Sequence, residues 1–120
     1  MKIVIPMAPI TKKNHQQIVR VNGRPMVIPS KQYKQYEKDC APFLKALHID
    51  VPINVKALYY MPTRRRVDLC NLHEALCDVL VKHGVIEDDS CKIIVSMDGS
   101  RVLYDKENPR TEIEIETVES

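Results

Sequence analysis

Apolar and polar positions alternate from Lys2 to Met7 in a stretch rich in Ile and Val, which predicts a strand ended by Pro9. Gln17 to Val21 and Arg24 to Ile28 are two short strands about Asn22-Gly23, a dipeptide that favours the tight turn of a β-hairpin. Pro29-Ser30 opens a helix toward Leu47, with Ser30 as its N-cap and Tyr33, Tyr36, Cys40, Phe43, Leu44 and Leu47 as its apolar stripe. Pro42 inside that stripe should kink the helix or break it in two. Val51 to Met61 reads as a central strand with Ile53, Val55, Ala57 and Tyr59 on one face.

The strongest helical pattern follows. Leu69, Leu72, Leu76, Val79 and Leu80 recur at three- and four-residue steps and predict a helix from Leu69 to about His83. Asp68 stands where a carboxylate N-cap would, and Gly84 where a left-handed C-cap would. Cys91 to Met97 and Arg101 to Tyr104 predict a second hairpin about Asp98-Gly99, and Thr111 to Thr117 alternates Ile with Glu as a half-wet strand. These elements predict an α/β (α+β) fold: one domain over residues 1–120, a mixed sheet with β-hairpins, and two main helices.

Charge changes this picture more than composition does. Residues 1–67 hold thirteen Lys/Arg against three Asp/Glu, a net of +10, whereas residues 68–120 hold five against thirteen, a net of −8. A basic portion can neutralise phosphates and an acidic one can hold a hard cation; two ordinary solvated faces are the alternative. Lys12, Lys13, Arg20 and Arg24 could line one phosphate-facing edge, and the run Arg64-Arg65-Arg66 gathers three cations whose repulsion an anion would relieve. No apolar run approaches the ~20 residues of a membrane span, and the early-broken N-terminus does not read as a signal peptide, so a cytoplasmic protein is expected. The four cysteines lack CxxC spacing and read as reduced thiols. Cys70, His73 and Cys77 share one helical face, which leaves a soft-metal site as a minor alternative.

The acidic stretch carries the chemistry. A helix of about fifteen residues is ~22 Å long. For Asp68 and Asp89 to share a site, the chain after Gly84 must therefore reverse and run back along the helix. The ordered set Asp68-x-x-Asn71, Asp78-Val79-Leu80, Gly84-Val85 and Asp88-Asp89 resembles the RusA family of Holliday junction resolvases. Lys12-Lys13-Asn14 near the start, the Tyr-rich first helix and the closing Pro109-Arg110-Thr111-Glu112-Ile113 stretch also fit that family, so the resemblance spans nearly the whole chain.

It implies a homodimeric endodeoxyribonuclease that binds branched DNA (a four-way junction) and resolves it by paired nicking in recombination and repair. The implied cofactor is Mg²⁺, with Mn²⁺ able to substitute and no small-molecule cofactor. Asp68 and Asp89 match the family's metal-binding acids, Asp88 belongs to the same motif, and Asn71 matches as an orienting residue. Lys12, Lys13, Asn14, Arg20, Arg24, Arg64, Arg65, Arg66 and Lys92 are the candidate DNA contacts.

Two positions depart from the family's Asp-x-Asp-Asn-x-x-Lys: Cys70 replaces the second acid and Glu74 replaces the lysine. A soft thiolate does not replace a carboxylate on Mg²⁺. Glu74, one turn beyond Cys70, is expected to restore the lost acid as a third metal ligand, with Arg66 or Lys92 supplying the missing cation. The alternative is a catalytically impaired junction-binding protein of the same fold.

Overall fold

The structure, a computed structural model, describes residues 1–12, 17–28 and 31–118, with backbone alone for 17–19, 27 and 28. Its main sheet contains β1 (Lys2–Ile5), β4 (Ile53–Met61), β5 (Ile94–Ser96), β6 (Arg101–Tyr104) and β7 (Arg110–Thr117). β7 lies between β1 and β4, antiparallel to both, while β5 and β6 pair with β4 in parallel, so the sheet is mixed. A separate two-stranded sheet, β2 (Gln17–Val21) with β3 (Arg24–Ile28), turns at Asn22 (φ 53°) and Gly23 (φ 77°), the paired positive φ of a type I′ hairpin.

Two-residue periodicity decides which sheet face is dry. Ile3, Ile5, Ile53, Val55, Ala57, Tyr59, Thr111, Ile113 and Ile115 are all buried on one side. Against them pack helix α1 (Lys31–Asp39), through Tyr33 and Tyr36, and helix α2 (Leu69–Lys82), through Leu72, Ala75, Leu76, Val79 and Leu80. Full burial of each large aliphatic side chain is worth about 1.5–3 kcal/mol, so this layer supplies the bulk of the apolar driving force. The Tyr33 hydroxyl donates to the Ala75 carbonyl at 3.0 Å and ties the two helices together. On the opposite face Lys2 meets the half-buried Glu112 at 3.2 Å and Lys56 meets Glu114 at 3.7 Å, the latter a cross-strand pair of small energetic weight.

Three local expectations need correction. The first helix does not reach Leu47: as expected it is broken near Pro42, ending at Asp39 with a single 3₁₀ turn over Ala41–Phe43, since proline cannot donate an N–H to a continuing helix. Its expected cap, Ser30, lies outside the described residues. The Asp98-Gly99 hairpin is absent, because β5 and β6 do not pair with each other but follow one another along β4. Asp98-Gly99 is an outward step between them. The Asn54 side chain holds that step, accepting from the Asp98 N–H at 2.8 Å and donating to the Asp98 carbonyl at 3.2 Å. The Ser100 hydroxyl accepts the Ala57 N–H at 3.0 Å where the ladder is interrupted.

The third correction concerns the mouth of α2. Asp68 occupies the cap position with extended backbone (φ −93°, ψ 128°), but its side chain makes no capping bond. Its carboxylate faces the Asn71 amide at 3.4 Å and Arg66 at 3.9 Å instead, partners that compete with the first-turn N–H groups. The other end behaves as expected. Gly84 (φ 71°) donates to the Val81 carbonyl at 3.0 Å and Val85 to the Leu80 carbonyl at 2.9 Å, the bond pair of a Schellman cap. A Cβ at Gly84 would stand 3.2 Å from His48 Cε1, so both backbone and space call for glycine.

Candidate functional site

Beyond the Schellman cap the chain reverses. His48 N–H donates to the Gly84 carbonyl at 2.8 Å, Ile49 N–H to Val85 at 3.1 Å, and Glu87 N–H to Ile49 at 2.9 Å. Exposed Asp88 and Asp89 follow this short pairing. Asp89 then lines a cleft of about 570 Å³ whose floor includes Asp78, Val81 and Lys82 from α2. The α1 wall contributes Tyr33, Lys34, Glu37 and Lys38, and Lys12 joins the lining.

Burial and pairing set the charges here. Lys12 forms an ion pair with Asp78, and that hydrogen bond raises the lysine pKa, with Glu74 and Glu37 adding to the effect. Lys82 meets Glu37 at 2.6 Å, and His83 Nε2 lies 2.7 Å from the Glu37 carbonyl oxygen, so the two walls are tied at this end. Cys77 is buried beneath the cleft; desolvation pushes its thiol up to about 11, with the charges of Asp89 and Asp78 adding. Cys40 is likewise buried and pushed up to about 11 by desolvation. Both thiols are therefore protonated at neutral pH.

The expected site residues fall into separate groups. Asp89 is in the cleft, but Asp68 is at the head of α2, and the ten steps from Asp68 to Asp78 span about 15 Å of helical rise. Asn71 stays with Asp68. Glu74 projects from the exposed side of α2 between them, close enough to act on Lys12. Among the described residues no three His, Cys, Asp or Glu side chains gather into a metal-holding group. The soft-metal alternative fails on the same ground: Cys77 is buried, Cys70 is exposed, and His73 Nδ1 lies 2.7 Å from the Tyr59 hydroxyl.

The basic candidates are also distributed. Arg64, Arg65 and Arg66 are exposed in the loop before α2, where the Arg64 guanidinium stacks 4.3 Å from the Tyr104 ring centre. Arg20 and Arg24 are exposed on the β2–β3 hairpin, and Lys92 is exposed in the turn before β5. Lys13 and Asn14 lie outside the described residues. Sequence reasoning passed over Lys34, Lys38 and the role of Asp78 as a partner for Lys12. The spacing of Lys34 and Lys38, one helical turn apart, was the available signal for the first two. The 66-residue separation of Lys12 from Asp78 left none for the third.

His73 gives this region a pH dependence. Burial lowers its pKa, so the folded chain holds the ring neutral where the unfolded chain would protonate it. Stability is therefore full above the ordinary histidine value of about 6.5 and declines as pH falls below it toward the depressed folded value. Melting curves should show Tm dropping as pH falls below about 6.5, and His73→Gln should flatten that drop. An undiminished slope in the variant would assign the acid sensitivity to other groups.

Among the described residues no helix is long and apolar enough to cross a membrane. A search of curated proteins finds no match. Residues 6–116, all but the ends of the 120-residue chain, match the family described as Endodeoxyribonuclease RusA. The mixed sheet under two helices and the reversed acidic turn thus belong to a member of the RusA endodeoxyribonuclease family.

Proposed function

We propose that this chain is a cytoplasmic, Mg²⁺-dependent homodimer that resolves four-way DNA junctions by paired nicking in recombination and repair. Family membership already carries an endodeoxyribonuclease activity on Holliday junctions and a general dependence on divalent metal. The observation that supports the fuller reading is the placement of Asp89 in a cleft whose α1 wall carries lysines. Such a cleft can draw in a phosphodiester and set a carboxylate beside it.

The donor chemistry fits a hard divalent ion. Asp68, Glu74 and Asp89 all offer exposed carboxylate oxygens. Their placement at the head of α2, on its exposed side and in the turn beyond it fits an ion held by one or two carboxylates and completed by substrate phosphate and water, not an all-protein cage. Bound there, it would supply charge neutralisation and an activated water. The chain's own residues do the rest. Asn71 orients Asp68, and Lys12 holds Asp78 in place. The arginines before α2 and on the hairpin engage backbone phosphates away from the reacting bond.

A second reading, junction binding without cleavage, draws support from the absence of a three-acid group among the described residues and from Cys70 at the position of an acid. Junction binding is common to both readings. Titrating a synthetic four-way junction over a range of salt should give tight binding that weakens steeply, because each neutralised phosphate contributes a slope of about −0.9. Arg64→Ala, Arg65→Ala and Arg66→Ala combined should flatten that slope by about 1 to 3. An unchanged slope would mean that the triplet faces away from DNA, and equal affinity for linear duplex would count against a junction-specific role.

A further inference from the structure

We propose that Lys34 and Lys38 on α1 form a phosphate-holding wall of the cleft that Asp89 lines, so that the cleft between the two helices seats the DNA strand by its backbone. The inference rests on the nuclease reading above and deepens it by assigning which of the cleft's lysines hold the phosphate.

Pairing within the cleft singles these lysines out. The lining holds four cations, Lys12, Lys34, Lys38 and Lys82, and three carboxylates, Glu37, Asp78 and Asp89. Lys12 is engaged by Asp78, and Lys82 by Glu37 at 2.6 Å. Among the described residues Lys34, Lys38 and Asp89 are left without an ion-pair partner, two cations and one acid in one cleft. Lys34 and Lys38 stand one turn apart on the same helical face, where like charges repel. Glu37, between them in sequence, cannot relieve the repulsion, because its carboxylate is turned to Lys82.

An exposed lysine pair on a convex helix is an ordinary solvated surface. A pair lining a concave cleft, together with one carboxylate, is a local excess of positive potential that an anion would neutralise. The wall is also fixed in place. Tyr33, beside Lys34, anchors α1 to the Ala75 carbonyl at 3.0 Å, and the Glu37 carbonyl oxygen lies 2.7 Å from His83 Nε2. The lysine stems therefore project from a backbone tied to α2 at two points.

A phosphodiester suits this arrangement. Its two non-bridging oxygens can each accept from an ammonium group, while the bonded phosphorus lies toward Asp89. Without the lysines, Asp89 would repel the substrate it must approach. Lys34 and Lys38 are thus positioning residues, acting on where the phosphate lies.

The test is the salt dependence of four-way junction binding by Lys34→Ala/Lys38→Ala, beside a charge-matched control. Lys45→Ala/Lys106→Ala serves as that control, since both residues are exposed and outside the cleft. The cleft variant should lose about 1 to 2 from the slope of log affinity against log salt, at unchanged Tm. Lys34→Arg/Lys38→Arg should restore the slope, and the control should keep it. A cleft variant with the wild-type slope would overturn the proposal, as would a control that flattens equally. Failure of the wild type to bind any junction would overturn the nuclease reading with it.

Discussion

Asp89→Asn should cut a four-way junction about a hundredfold or more slowly than the wild type while binding it at least as tightly. The substitution keeps the side chain's shape and removes its charge. Loss of a carboxylate that helps offset charge on the transferring phosphoryl group costs several kcal/mol of barrier, and each 1.36 kcal/mol is tenfold in rate. Binding moves the other way, because one repulsive charge leaves a cleft already walled by Lys34 and Lys38. Single-turnover cleavage and gel-shift measurements on one junction separate the two effects. Cutting at the wild-type rate would remove Asp89 from the site.

Ile113→Ala should have the largest effect on stability. Ile113 is fully buried on β7, opposite Ile3 of β1 and Ala57 of β4. Truncating it leaves a cavity where three strands and the helical layer meet, at a cost of about 2–5 kcal/mol. For a domain of this size that is a fall in Tm on the order of 10 °C or more. Glu114→Ala, one residue on and facing solvent, should stay within about 0.5 kcal/mol of the wild type. Comparable losses in the two variants would mean that the alternation along β7 does not decide which face is dry.

Long periodic segments were legible in the sequence because their signal is local. The Leu/Val stripe of α2, its Gly84 cap and the alternation in β4 and β7 each carry the burial pattern the structure has. Pairing partners were not legible. Two short apolar runs about Asp98-Gly99 look the same whether they pair with each other or both join β4, and the choice is made by the remote edge of β4 together with Asn54 and Ser100. Side-chain direction at a helix mouth was also hidden, since Asp68 had Asn71 and Arg66 to face as well as backbone N–H groups.

The candidate site shows the same division. Sequence order identified the acidic turn and its return toward the helix, and the structure places Asp89 beside α2. It could not tell how far along the helix that return goes. Gly84 releases the chain into pairing with His48 and Ile49, and Asp89 lines a cleft together with Asp78, a lining that does not include Asp68. Glu74 lies between the two groups, which makes the exchange at positions 70 and 74 a change to the middle of an acidic row.

The most direct measurement is the initial rate at which the wild type nicks a synthetic four-way junction, with and without Mg²⁺, beside a linear duplex of the same sequence. The expected result is paired nicks in opposing strands of the junction, dependent on the ion, with little cutting of the duplex. Tight junction binding with no nicks at any Mg²⁺ or Mn²⁺ concentration would contradict it and leave a protein that binds junctions without resolving them.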